Sequence, residues 1–166
     1  MMPSAKAMLG RSYARSTIAL AMLGLVGCSG EGVAGPELPV GWGRATLVGS
    51  FSQSECVDSA YAGVPETFEA QPLSDGLEVR YHDAHFRCAQ RTQAFANIQA
   101  ASIDVLVQPL DMQPASVAHC DCLYEIELQL PVAPGSYDFS LYRRWDHKSG
   151  ADQPLQIGDV VPVEIR

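Results

Sequence analysis

The reactive side chains of this 166-residue chain are concentrated in five cysteines and four histidines. Three of the histidines stand beside cysteines. His82-Asp83-Ala84-His85-Phe86-Arg87-Cys88 brings two imidazoles near a thiol, and His119-Cys120-Asp121-Cys122 sets a third beside a Cys-x-Cys pair. Imidazole and thiolate together suit a soft or borderline cation. His82, His85, Cys88, His119, Cys120 and Cys122 are therefore candidate ligands for Cu or Zn. The same sulfurs, with Cys56 added, make an even set of four that suits two disulfides. The redox compartment decides between these chemistries, because an oxidised cysteine offers no thiolate.

The first thirty residues bear on the compartment. Lys6, Arg11 and Arg15 precede an apolar stretch from Thr17 to Val26, and no acidic residue occurs before Glu31. That stretch is about half the roughly 20 residues a membrane-spanning helix needs. A basic start, a short apolar core and small residues after it have the layout of a secretory signal. The core ends in Leu25-Val26-Gly27-Cys28, which resembles the lipobox of bacterial lipoproteins. The resemblance implies that residues 1–27 are a signal peptide cut off before Cys28, whose thiol carries diacylglycerol. Several acyl chains anchor stably where one gives only reversible binding, each buried methylene contributing about 0.8 kcal/mol. Ser29, where the sorting rule of this class reads Asp as retention, implies the outer rather than the inner membrane of the cell envelope.

Removing Lys6, Arg11 and Arg15 takes the net charge from −8 to −11. A domain this acidic is repelled by phosphate backbones, so nucleic acid is not an expected partner. It has no basic patch with which to hold anionic lipid either, which leaves the lipid on Cys28 as the attachment.

An exported domain favours oxidised cysteines. A bridge between Cys120 and Cys122 would close too tight a ring, so each pairs with Cys56 or Cys88. Cys88 with Cys122 and Cys56 with Cys120 is the preferred connectivity, and the swapped pairing stands close behind it. No cofactor is expected on this reading; Cu or Zn belongs to the alternative.

The segments that carry and flank these groups read mostly as strands. Ser29–Gly43, rich in Gly and Pro, is a flexible tether, and residues 44–166 form one domain. Arg44–Phe51 is a first strand and Thr67–Ala70 a weak one. Ser74-Asp75-Gly76 is a turn before the alternating Leu77–Tyr81. Ala89–Ala101 suits a helix or a strand over Gln93–Gln99. Ile103, Val105 and Val107 alternate with Asp104 and Leu106, which indicates a strand. The clearest strand is Cys122–Leu130, with Tyr124, Ile126 and Leu128 on one face and Glu125, Glu127 and Gln129 on the other. Pro131–Gly135 is a turn into a strand carrying Tyr137, Phe139 and Leu141, and the two strands are expected to form an antiparallel pair. Val160–Ile165 is the last strand, and Pro162 marks it as an edge.

About seven short strands indicate an all-β fold, a single antiparallel β-sandwich. The ending Pro-Gly-Ser-Tyr-Asp-Phe resembles immunoglobulin-like extracytoplasmic modules; a small β-barrel is the alternative. His85-Phe86-Arg87-Cys88, Cys120-Asp121-Cys122-Leu123-Tyr124 and Gly135-Ser136-Tyr137 also resemble an outline found in cysteine-bearing envelope lipoproteins without assigned activity.

No Gly-x-Ser-x-Gly elbow, His-Glu-x-x-His or glycine-rich phosphate loop occurs, so an enzyme is not expected. Tyr142-Arg143-Arg144-Trp145 opens the one basic and aromatic cluster of an acidic chain. Such residues are enriched in binding hot spots, which makes it a candidate patch for an envelope protein or a glycan. The plainer expectation is that Trp145 caps the core while the charges stay in water. The sequence thus points to a membrane-anchored, non-enzymatic binding or structural module, with a metal-binding lipoprotein as the alternative.

Overall fold

The computed structural model describes residues 37–57, 63–110, 120–145 and 153–166. Cys28 and His119 lie outside the described residues. Nine strands are present among them: β1 (Thr46–Leu47), β2 (Ser50–Gln53), β3 (Thr67–Leu73), β4 (Gly76–Arg87), β5 (Thr92–Gln99), β6 (Ser102–Pro109), β7 (Asp121–Pro131), β8 (Gly135–Arg143) and β9 (Leu155–Ile165). They form a five-stranded sheet in the order β1-β5-β6-β8-β9 and a four-stranded sheet in the order β2-β7-β4-β3. The sheets pack as a sandwich and do not close into a barrel.

The core follows from period-two alternation. Leu77, Val79 and Tyr81 of β4 and Ile126, Leu128 and Leu130 of β7 meet Ile103, Val105 and Val107 of β6 and Phe139 and Leu141 of β8. Phe68 of β3 bridges the sheets, its ring 5.4 Å from that of Phe139. Fully burying one such side chain contributes about 1.5–3 kcal/mol.

Three expectations need correction. The sandwich is not wholly antiparallel, because β6 and β8 run parallel. The strands β7 and β8 are not a hairpin, because they belong to opposite sheets. The chain crosses between sheets at Val132–Pro134, where Pro131 and Pro134 lack ladder donors and Val132 turns into the core. Both corrections have one origin: with β7 placed in the other sheet, β6 and β8 become neighbours. Arg44–Phe51 is likewise two strands, split at Val48–Gly49, one in each sheet. The strand alternative for Gln93–Gln99 holds, and β9 is an edge strand, as Pro162 indicates.

Strand direction gives the sandwich two distinct poles. Two residues join β3 to β4, two join β5 to β6, and three join β7 to β8; this is the turn pole. The connections β2–β3, β4–β5, β6–β7 and β8–β9 leave from and return to the other pole. They comprise residues 54–66, 88–91, 110–120 and 144–154. All four paired cysteines lie here, and we call it the cysteine pole.

Candidate functional site

The cysteine pole is built around the start of β7. The β4–β7 register sets Phe86 opposite Cys122 and Arg87 opposite Asp121, so Cys88 falls opposite Cys120. The Cys88 N–H donates to the Cys120 carbonyl at 2.9 Å, and the two residues are bridged, Cα to Cα 5.4 Å. The chain leaving β2 follows the other side of β7, with the Val57 N–H donating to the Leu123 carbonyl at 2.9 Å. That brings Cys56 to Cys122, Cα to Cα 5.7 Å. The connectivity is therefore the swapped one, not Cys88–Cys122 with Cys56–Cys120. Register explains it: each cysteine of Cys-x-Cys bonds to a different neighbour of the central strand β7. Cys122 is wholly buried, whereas Cys56 and Cys120 are exposed.

Between the ends of β2, β5 and β7 lies a concavity of about 640 Å³, within the usual range of small-ligand sites. Phe51, Gln53, Glu55, Cys56, Gln90, Arg91 and Tyr124 are among its lining residues. Gln53 organises its wall. Its amide donates to the Gln90 carbonyl at 2.9 Å, and its oxygen accepts from both the Thr92 N–H and the Thr92 hydroxyl at 2.9 Å. The Gln90 side chain accepts from the Arg87 N–H at 3.0 Å. Tyr124 donates its hydroxyl to the Arg87 carbonyl at 2.9 Å, and its burial raises its pKa. These bonds fix the wall, while Arg91 and Glu55 stay exposed.

The histidine segment is shaped by a bulge. Tyr81 pairs with Ile126 and Ala84 with Tyr124, so His82 and Asp83 share the place opposite Glu125, with Asp83 at φ +53°. One extra residue reverses which side chains face inward. Leu77, Val79 and Tyr81 point into the core before it, and Ala84 and Phe86 after it. Unbulged, His85 would follow Tyr81 into the core. Instead His82 Nδ1 lies 2.6 Å from Glu125 Oε2.

Beyond the bulge, β4 has outrun β3, which starts at Thr67 opposite His82. Two side chains take the vacant ladder position beside His85. Glu66 Oε1 accepts from the His85 N–H at 3.0 Å, and Arg143 Nη1 donates to the His85 carbonyl at 3.2 Å. The two form an ion pair of their own, Nε to Oε1 3.2 Å, with both side chains 9% exposed. Tyr81 donates its hydroxyl to the same Glu66 oxygen. Burial raises the Tyr81 pKa well above its usual value; the charge of Glu66 and this hydrogen bond raise it further, and Arg143 opposes them. Trp145 stacks against Arg143, 4.8 Å from guanidinium carbon to ring centroid.

The cluster Tyr142–Trp145 is thus folded inward. Arg143 and Arg144 are 8% and 2% exposed, so the expectation that the charges stay in water does not hold for these two. Arg144 Nη1 donates to the Glu37 carbonyl at 2.8 Å. Gln108, wholly buried, donates to the same oxygen at 3.2 Å. Tyr142 meets Trp42 edge-on at 5.5 Å. Glu37–Gly43, assigned by composition to the tether, therefore packs against the outer face of the five-stranded sheet.

Of the six metal-ligand candidates, Cys88, Cys120 and Cys122 carry disulfides. His82 and His85 each face a glutamate, at 2.6 Å and 3.9 Å. Among the described residues no group of three or more His, Cys, Asp or Glu side chains has metal-holding geometry. Sequence reasoning missed Gln53, Glu66, Tyr81, Gln90, Arg91 and Tyr124 as members of this pole. Gln53 and Glu66 lie at or beyond strand ends in polar sequence, where no periodicity marks them.

No family model, curated protein or solved structure matches this chain.

Proposed function

We propose that this protein is an envelope lipoprotein, held to a membrane by lipid on Cys28, whose sandwich is a non-enzymatic binding module with the cysteine pole as its working end. The observation that carries this reading is the asymmetry of the poles. Connections of four to thirteen residues, both disulfides and the 640 Å³ concavity share one end, while the other has connections of two or three residues and smaller concavities of about 330–470 Å³. Recognition residues are commonly displayed on loops that a rigid scaffold positions. Here two cross-links to β7 supply the rigidity. The disulfides also support an extracytoplasmic location. We read the sandwich as immunoglobulin-like, supported by its two sheets and the gathering of its long connections at one end.

Two measurements test the reading. Cys28→Ala should abolish acylation and normal processing; a variant still acylated and cut at the same bond would refute the anchor. Arg91→Glu with Glu55→Lys reverses both exposed charges at the concavity. This double variant should lose a specific interactor recovered by the wild type from its own membranes, with an unchanged melting temperature. Retention of that interactor would remove the concavity as the recognition surface.

A further inference from the structure

Glu37 is a fixed point of the chain. The Glu37 carbonyl is held by Arg144 at 2.8 Å and Gln108 at 3.2 Å, both donors being almost completely buried. Pro39 is buried, the Trp42 N–H turns back to the Pro39 carbonyl at 3.0 Å, and Trp42 is 9% exposed. Gln108 is near the end of β6 and Arg144 follows the end of β8, so this clamp lies at the cysteine pole.

Only Ser29–Pro36, eight residues, separate the clamp from Cys28. Fully extended, that span reaches about 30 Å, at roughly 3.5 Å per residue. The eleven residues of β7, at about 3.3 Å each, set the turn pole some 35 Å further along the strands. A tether shorter than the domain, joined at one end of it, biases orientation.

We infer that the lipid on Cys28 holds the cysteine pole towards the bilayer and the turn pole away from it. This inference rests on the lipoprotein reading. Whatever the concavity recognises must then lie within about 30 Å of the membrane surface. The net charge of −11 after cleavage opposes direct seating on anionic headgroups, so tether geometry rather than lipid affinity sets the orientation.

The test uses the full acylated protein in phosphatidylcholine vesicles carrying a headgroup-labelled energy acceptor. A donor is attached through Leu110→Cys at the cysteine pole or Ser74→Cys at the turn pole, both exposed positions. Transfer from position 110 should exceed that from position 74 at least twofold. Inserting about 24 Gly/Ser residues between Pro36 and Glu37 should bring the two values together. Equal or reversed transfer in the acylated protein overturns the orientation alone. A difference that survives the insertion also overturns it, because direct lipid contact would then be its cause. Mass spectrometry showing no acyl chain on Cys28 overturns the lipoprotein reading and the orientation together.

Discussion

The two ends of this sandwich solve the same problem differently. At the turn pole, two or three residues reverse the chain, and backbone geometry suffices: Ser74-Asp75 joins a register that runs unbroken from Thr67–His82 to Leu73–Gly76. At the cysteine pole the connections have four to thirteen residues. Order there comes from two disulfides, the Glu66–Arg143 pair, the Gln53 bonds and the clamp on Glu37. Long connections carry a larger closure entropy, and each of these devices offsets part of it.

The comparison predicts a graded set of losses. The largest falls on the buried pair. Glu66→Ala leaves the Arg143 charge buried and the His85 N–H unfilled, and should destabilise the domain by about 3–5 kcal/mol in urea unfolding; a loss under 1 kcal/mol would show that water or a rearranged Arg143 replaces the carboxylate. The disulfides follow closely. They span 66 and 32 residues, and Cys56→Ala/Cys122→Ala or Cys88→Ala/Cys120→Ala should each cost about 4 kcal/mol by the chain-entropy estimate. Denatured but unreduced domain should show no free thiol with a chromogenic thiol reagent, whereas reactive thiols would reopen the metal alternative.

Alkaline titration probes the same pole more gently. The folded-state pKa of Tyr81 is raised, so the folded protein retains a proton that the unfolded chain releases near pH 10. The stability this proton carries is present below about pH 10 and is lost as pH rises through the folded value. Tyr81→Phe should flatten that alkaline slope; an unchanged slope would assign it to another group. The smallest effect belongs to the solvated outer face of the four-stranded sheet. Arg80 lies 2.9 Å from Glu78 and 3.8 Å from Glu127, with partly exposed side chains. Glu127→Gln should change stability by less than about 1 kcal/mol. A larger loss would mean that this face, and not the cysteine pole alone, depends on specific electrostatics.

Much of the fold was legible. The alternation of Leu77–Tyr81 and of Cys122–Leu130 specifies half-buried strands, because side chains of a strand point alternately to opposite faces. Pro162 marks an edge, because a central strand would need its missing N–H. The site was less legible. Tyr142–Trp145 reads as a strand end whose charges stay in water, yet Arg143 and Arg144 are buried. Their partners, Glu66 and the Glu37 carbonyl, lie 77 and 107 residues away, so nothing local announces them. The His82–Asp83 bulge has no local mark either, and that one residue decides whether His85 faces the core.

Local features follow from the residues alone: the strand periods, the turn at Ser74-Asp75, the acidic balance after residue 27, and four cysteines to be shared between two bridges. Which strands neighbour which emerges only from the three-dimensional arrangement. Sequence separation does not specify sheet membership, so the placement of β7 between β2 and β4 could not be read in advance. That placement joins Cys122 to Cys56 and Cys120 to Cys88, and leaves β6 and β8 as parallel neighbours in the other sheet.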